Sequence, residues 1–236
     1  MYAATKTHQE TAIEALFRKH GQKCRAARKE IIGPVDGAPN CLYLVTKGAI
    51  RVALRSGPDD EIHVSFLHPG DTFGEQGLFD RRIASMSPAT YRARSDVELL
   101  AVPHSIVARY AAADPQFYAD LSSHIHSRLA TATAKLAQML FLDLETRCYD
   151  CLIDLTRLPD AMTHPDGMLI RLSRIELARM ARCSRETAGR ILNTLAAKSL
   201  LSVSGQSIVL NGVRYTNRPA RTTPDLRGVE MRPKTH

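Results

Sequence analysis

Four side chains near the end of the chain, Arg185, Glu186, Arg190 and Asn193, are of the types that read nucleic-acid bases. Arginine bonds bidentately to the guanine edge, and a carboxylate accepts from the cytosine amino group. Whether they can act together depends on spacing. At about 100° per helical residue, with Arg185 at 0°, Gly189 falls at about 40°, Asn193 at about 80°, Glu186 at about 100° and Arg190 at about 140°. Ala188, Ile191, Leu192 and Leu195 fall between about 240° and 340°. One side can therefore bury itself on protein while the other faces a partner. Gly189, lacking a Cβ, would bring the backbone closer to a DNA groove. An ordinary surface helix with a Glu186–Arg190 pair one turn apart has the same periodicity, so the neighbouring elements must decide.

Those neighbours favour a DNA-reading unit. Ser173 followed by Glu176 is a capping box, which predicts a helix from Arg174 to about Ala181. Arg182-Cys183-Ser184 supplies a short turn, and Ser184 can cap a second helix from Arg185 to about Ala197. Two helices so closely joined form a helix-turn-helix, whose second helix enters the major groove. Ser184, Thr187 and Arg174 flank the reading face and complete the set of DNA-contact candidates. LLSVSGQSIVL then reads as two strands around Ser204-Gly205-Gln206, a wing. Charge points the same way. From Arg171 onward there are 13 Lys and Arg against 4 Asp and Glu, whereas residues 1–170 hold 19 against 20. The whole excess behind the net +8 thus lies in the part that would meet phosphates. Six of the thirteen cations lie beyond Asn211, where a solvated tail would account for them equally well.

The rest of the chain has to carry and regulate this unit. A helix over residues 9–20 puts Ile13, Leu16 and Phe17 on one side. From Cys41 to Val102 short alternating runs (CLYLVT, AIRVALR, EIHVSFL, VELLAV) are separated by Gly, Pro and Asp, the signature of an antiparallel β-sandwich or roll. Asp114-Pro115 then begins a long helix, with aspartate as N-cap and proline at the first helical position. Along it Ile125, Leu129, Ala132, Leu136 and Met139 form a heptad seam. That seam suits a helix–helix homodimer, with packing on its own domain as the alternative. A further helix follows over about Leu144–Leu158, then the loop LPDAMTHPDGM. The expected architecture is α+β: an N-terminal effector-sensing roll (1–113), a dimerisation helix and hinge (114–142), a winged helix-turn-helix (143–212) and a basic extension (213–236).

CSRETAGRIL, the preceding LSRIELARM and the following GQSIVLNG resemble the C-terminal domain of the CRP/FNR family of bacterial transcription regulators. PDAMTHPDGM, FLDLETR, LYLVTKGAIRV, HPGDTFGEQGLF and ELLAV match that family as well, so the resemblance runs from about residue 13 to Gly212. It implies a homodimer that binds and bends palindromic promoter DNA. Arg185, Glu186 and Arg190 fall on the positions that read a TGTGA-type half-site. The resemblance also places an RNA polymerase α-subunit contact on the 161–167 loop, through Thr163, His164 and Gly167, where a plain connector is the alternative. The implied effector is a cyclic nucleotide or a cyclic dinucleotide.

The effector pocket departs from the family pattern. Gly74-Glu75 matches the ribose-binding pair of cAMP-responsive members. Their phosphate-binding Arg-Ser pair becomes Ser87-Pro88, and the adenine-touching Thr-Ser pair becomes Ala132-Thr133. A lost arginine fork removes charged hydrogen bonds worth roughly 1.5–3 kcal/mol each, so cAMP is expected to change DNA affinity less than about tenfold. Three readings stand: a vestigial pocket, a different effector such as the cyclic dinucleotide sensed by a plant-pathogen branch of the family, or rescue of cAMP binding by Arg81 or Arg82.

No constellation for catalysis or metal binding is present: there is no Walker loop, nucleophile elbow or HExxH. Cys148-x2-Cys151 reads as a pair of core cysteines rather than a metal site. The five scattered cysteines do not form a disulfide framework, and no window suits a membrane span, so the chain reads as cytoplasmic. His124 and His126 fall on different helix faces and are expected to be solvated. A sensor with weak DNA binding is the main alternative function. An enzyme or enzyme regulatory subunit is disfavoured because it would not need Arg171–Leu210.

Overall fold

The computed structural model describes residues 10–33, 40–55, 61–79 and 89–214. In chain order the elements are α1 (Ala12–His20), β1 (Gln22–Ala26), β2 (Ile31–Ile32), β3 (Cys41–Lys47), β4 (Ile50–Arg55), β5 (Glu61–Leu67) and β6 (Thr72–Phe73). There follow the short α2 (Gln76–Phe79), β7 (Ala89–Ala93), β8 (Val97–Pro103), α3 (His104–Ala113) and the long α4 (Gln116–Phe141). The C-terminal part comprises α5 (Leu144–Thr156), β9 (Met162–His164), β10 (Gly167–Arg171), α6 (Arg174–Ala181), α7 (Arg185–Ala197), β11 (Leu201–Ser204) and β12 (Ser207–Asn211).

Alternation of buried and exposed side chains builds two antiparallel sheets, ordered β1-β8-β3-β6 and β2-β7-β4-β5. Their inner faces close over Val45, Ile50, Leu67, Phe73, Val97 and Leu99, the core of the expected roll. The four strands anticipated from alternation all form. β1, β2, β6 and β7 add to them, from segments too short or too polar to announce themselves. One end of the roll is covered by α1, α3 and the start of α4, packed through Ile13, Leu16, Phe17, Val107, Phe117 and Leu121. α1 begins at Ala12 rather than at residue 9, because Thr11 and Glu14 form a capping box there.

Backbone hydrogen bonding of α4 begins at Gln116, but Pro115 already has helical dihedrals. Asp114 Oδ1 accepts from the Gln116 amide at 3.1 Å, so the aspartate caps as expected. α4 ends at Phe141, and Asp143 caps α5 by accepting from the Thr146 amide.

The C-terminal domain holds its own core, from Cys148, Leu152 and Leu155 on α5 to Leu177, Leu192, Leu195, Ile208 and Leu210. Cys148 and Cys151 are fully buried in it, and burial pushes the Cys148 thiol up to about 12. Among the described residues no cluster of metal-ligating side chains occurs. The segment expected to be a loop after α5 instead forms the hairpin β9–β10, which extends the wing into a sheet ordered β11-β12-β10-β9. Gly167 is there for close approach: a Cβ would lie 1.8 Å from the Leu210 carbonyl oxygen. This domain also docks on the roll. Ala49 joins its core cluster and Phe66 packs against it. Arg94 bonds the Arg171 carbonyl at 3.2 Å and pairs with Asp160 at 3.1 Å.

Candidate nucleic-acid interface and effector pocket

The helix-turn-helix is fixed by local hydrogen bonds. Ser173 Oγ accepts from the Glu176 amide at 3.2 Å, while Glu176 Oε2 accepts from the Ser173 amide at 2.9 Å. Burial works against the Glu176 carboxylate, but its bonds from Ser173 hold it below its ordinary value. Arg182 ends α6 in the left-handed region at φ 57°. Ser184 then caps α7, accepting from the Thr187 amide at 3.0 Å. A hydroxyl relay continues along the helix. Ser184 Oγ and Thr187 Oγ1 are 2.9 Å apart, and Arg190 Nη2 donates to Thr187 Oγ1 at 3.2 Å. Ser184 and Thr187 therefore position Arg190.

Arg185, Glu186, Arg190 and Asn193 are all exposed, while Ala188, Leu192 and Leu195 are buried beneath them. An open depression of about 610 Å³ lies among Arg174, Ser184, Arg185, Glu186 and Gly189. Gly189 has a neighbour the sequence did not reveal. A Cβ there would lie 3.4 Å from Arg174 Cδ, an ordinary van der Waals contact, so Arg174 is the side chain that borders the glycine. No ion pair between Glu186 and Arg190 occurs among the described residues, and the carboxylate is free to accept from a partner. Two guanidiniums and one carboxylate on the exposed face of α7, with the Arg174 guanidinium of α6 beside them, can meet phosphates and base edges.

The other expected sites are placed as follows. On α4, Leu129 and Leu136 are exposed (62% and 57%), as is Leu140 (59%), whereas Ile125, Ala132 and Met139 are half-buried against their own chain. The free apolar strip is thus turned slightly from the expected seam. His126 is exposed, but His124 is half-buried with a partner and is not simply solvated. On the β9–β10 hairpin Thr163 is exposed and His164 half-exposed. Gly167 is buried in the ladder and offers no contact surface. Residues 215–236 of the basic extension lie outside the described residues.

In the roll, Gly74 has φ 89°, and a Cβ would come 2.4 Å from the Cys41 carbonyl oxygen. That turn aims Glu75 inward, where it is buried. The sequence reading missed its partner. Arg128, on α4, donates Nη1 to Glu75 Oε1 at 2.8 Å and to the Thr72 carbonyl at 3.2 Å. Burial alone would lower the guanidinium, but Glu75 and Tyr91 outweigh it and raise Arg128 overall. The Tyr91 hydroxyl accepts from Gln76 Nε2 at 3.2 Å. Arg128 stands one helical turn before Ala132, and that spacing to a pocket position was the available clue. Thr133 is exposed, its hydroxyl donating to the Leu129 carbonyl. Ser87, Pro88, Arg81 and Arg82 lie outside the described residues.

A cyclic nucleotide fits this pocket in part. Glu75 Oε2 is buried without a partner and suits a hydroxyl donor such as a ribose. The Glu75–Arg128 pair is neutral as a unit, so among the described pocket residues no net positive charge remains for a phosphate.

Comparison with known proteins covers most of the chain. The cyclic nucleotide-binding domain model matches residues 26–114, and the Crp-like helix-turn-helix domain model matches residues 140–213. The cAMP-activated global transcriptional regulator Vfr of Pseudomonas aeruginosa is 31% identical over 215 residues, 91% of this chain and 100% of Vfr. The cAMP-activated global transcriptional regulator CRP of Salmonella typhimurium is 36% identical over 173 residues, 73% of this chain and 81% of the relative. Among solved structures, the c-di-GMP-responsive global regulator CLP of Xanthomonas campestris superposes with a TM-score of 0.74 at 32% identity. It covers 85% of this chain and 98% of CLP.

Proposed function

Because the chain belongs to the CRP/FNR family and is a DNA-binding transcription regulator, we propose that it acts as a homodimer on a palindrome with TGTGA-like half-sites. The observation that carries this reading is the exposed Arg185-Glu186-Arg190-Asn193 face, with Arg190 held in place through Thr187 and Ser184. Arg185 and Arg190 supply donors for guanines, and Glu186 an acceptor for a cytosine amino group. Arg174 and the helix-capping residues supply phosphate contacts. The exposed Leu129, Leu136 and Leu140 form the strip through which two α4 helices pair. A homodimer sets the half-site spacing. Thr163 and His164 on the exposed hairpin are the residues proposed to meet the RNA polymerase α subunit.

For the effector side, the reading is a pocket altered from cAMP-responsive relatives, with Arg128 already engaged by Glu75. The likeness to CLP, whose response is to c-di-GMP, favours a cyclic dinucleotide as the second reading for the effector.

Fluorescence anisotropy with a TGTGA palindrome and a scrambled duplex, at two salt concentrations, tests the DNA reading. The wild type should prefer the palindrome, and Arg185→Ala should lose roughly 1–3 kcal/mol of that preference. Equal affinity for both duplexes would overturn it. Added cAMP should shift palindrome affinity by less than about tenfold.

A further inference from the structure

Between the roll and the C-terminal domain lies a second cleft, of about 290 Å³, away from both sites above. Its cations come from four separate segments. Arg28 and Lys29 stand on the β1–β2 turn, Arg51 on β4, Arg92 on β7 with Arg94 just beyond its end, and Arg179 on α6. Two carboxylates, Glu61 and Glu176, also line it, and both are already committed. Glu61 accepts from Arg51 Nη2 through both oxygens at 2.9 Å. Glu176 closes the capping box with Ser173. Arg94 is occupied by Asp160 and the Arg171 carbonyl.

Arg92, Arg179, Arg28 and Lys29 therefore outnumber the acids of the cleft walls, where six cations stand against two carboxylates. Arg92 is half-buried. Its Nη1 donates to the Lys29 carbonyl at 2.9 Å, which fixes the guanidinium, and its buried Nε has no partner. The crowding registers at Arg51. Burial pushes that guanidinium below its ordinary value, and the nearby Arg92 and Arg179 add to the effect against Glu61. Arg28, Lys29 and Arg179 are exposed, and like charges gathered round the half-buried Arg92 disfavour its charged form unless an anion discharges them.

We propose that this cleft binds a compact phosphate-bearing small molecule carrying at least two negative charges, held between Arg92 of the roll and Arg179 of α6. Its volume sits near the lower end of the roughly 300–1,000 Å³ range of ligand pockets, which suits an anion between pyrophosphate and a mononucleotide in size. Duplex DNA is the less fitting occupant. At about 100° per residue, Arg179 and Glu176 lie about 140° and 200° around α6 from Arg174, which borders the base-reading face. The ligand would touch both domains, so its binding stabilises their docked arrangement.

Calorimetry of the full-length protein with inorganic pyrophosphate at fixed ionic strength provides the test, with thermal denaturation alongside. The wild type should bind saturably, one anion per chain, with a raised Tm. Arg92→Gln/Arg179→Gln should weaken binding at least about tenfold, the effect of losing a charged contact. Arg185→Gln should leave it unchanged. Arg179 is exposed, so Arg179→Gln alone keeps the test valid if the double variant does not fold. The proposal is overturned by absence of saturable binding, by indifference to the Arg179 change, or by loss of binding in Arg185→Gln. A separate arm measures the salt slope of palindrome binding, and a slope shallower by about one to two in the double variant would give the cleft to DNA phosphates instead. Since pyrophosphate binding is read without DNA, it stands or falls independently of the half-site assignment.

Discussion

Replacing Arg128 by methionine should destabilise the protein far more than loss of a surface charge. Glu75 is buried, and Arg128 Nη1 at 2.8 Å is its one cationic partner among the described residues. The variant keeps the aliphatic bulk of the stem but leaves both carboxylate oxygens without donors, because Oε2 has none even in the wild type. The Thr72 carbonyl loses its 3.2 Å bond as well. Breaking a buried pair from one side costs about 3–5 kcal/mol, most of it the penalty of the stranded charge. Arg128 remains about a quarter exposed, which favours the lower end of that range. Glu75→Gln/Arg128→Met removes the charge along with its partner and should recover about half of the loss. Urea unfolding followed by far-UV circular dichroism suits a chain without tryptophan, at fixed concentration because a dimer is expected. The reasoning is refuted if Arg128→Met costs under about 1 kcal/mol, or if the two substitutions are simply additive.

Two other perturbations act on a buried histidine and on the exposed strip of α4. His63 is buried against Phe66, and burial, together with Lys135, Arg51 and Arg94, pushes its imidazole down to about 3. The unfolded chain takes up that proton near pH 6.5 and the folded chain does not, so stability is full above about 6.5 and falls as pH drops toward 3. Urea midpoints should show a loss of about 2 kcal/mol between pH 7 and pH 5 that His63→Leu largely abolishes; an unchanged pH dependence in that variant would remove His63 from the account. Leu136→Glu places a charge on the exposed strip of α4 and should yield monomers in analytical ultracentrifugation while the circular dichroism stays native. Persistence of the dimer would move the interface elsewhere.

The output end of the molecule was nearly all legible in the sequence. Ser173, Glu176 and Ser184 act through partners three residues away, so their hydrogen bonds are written in local spacing, and both helices begin where the caps predict. The apolar side of α7 likewise needed only the helical period. What escaped depends on distance along the chain. Arg128 meets Glu75 across 53 residues, and Gly167 is glycine because Leu210 passes close to it. No local pattern encodes either contact. The β9–β10 hairpin was hidden by its prolines, which mark a turn but do not say that the flanking residues pair. Gly189 was seen as permission to approach DNA, whereas its observed neighbour is Arg174, one helix away.

One long helix links the features that the sequence presented separately. At about 100° per residue from Arg128, Lys135 falls at about −20° and Met139 at about 20°, while Leu136, Leu129 and Leu140 fall at about 80°, 100° and 120°. The first stripe faces the chain's own domains. Arg128 bonds Glu75 in the roll, Lys135 Nζ donates to Cys151 Sγ at 3.3 Å on α5, and Arg147 reaches back to the Met139 carbonyl at 3.0 Å. The second stripe is the exposed apolar strip available to a partner helix. A rotation of α4 that drew Arg128 away from Glu75 would also shift the exposed leucines or the contacts that hold α5. The heptad and the pocket residues each suggested a site. Their placement on adjacent stripes of α4 puts both on one helix, whose C-terminal end leads into α5 of the C-terminal domain.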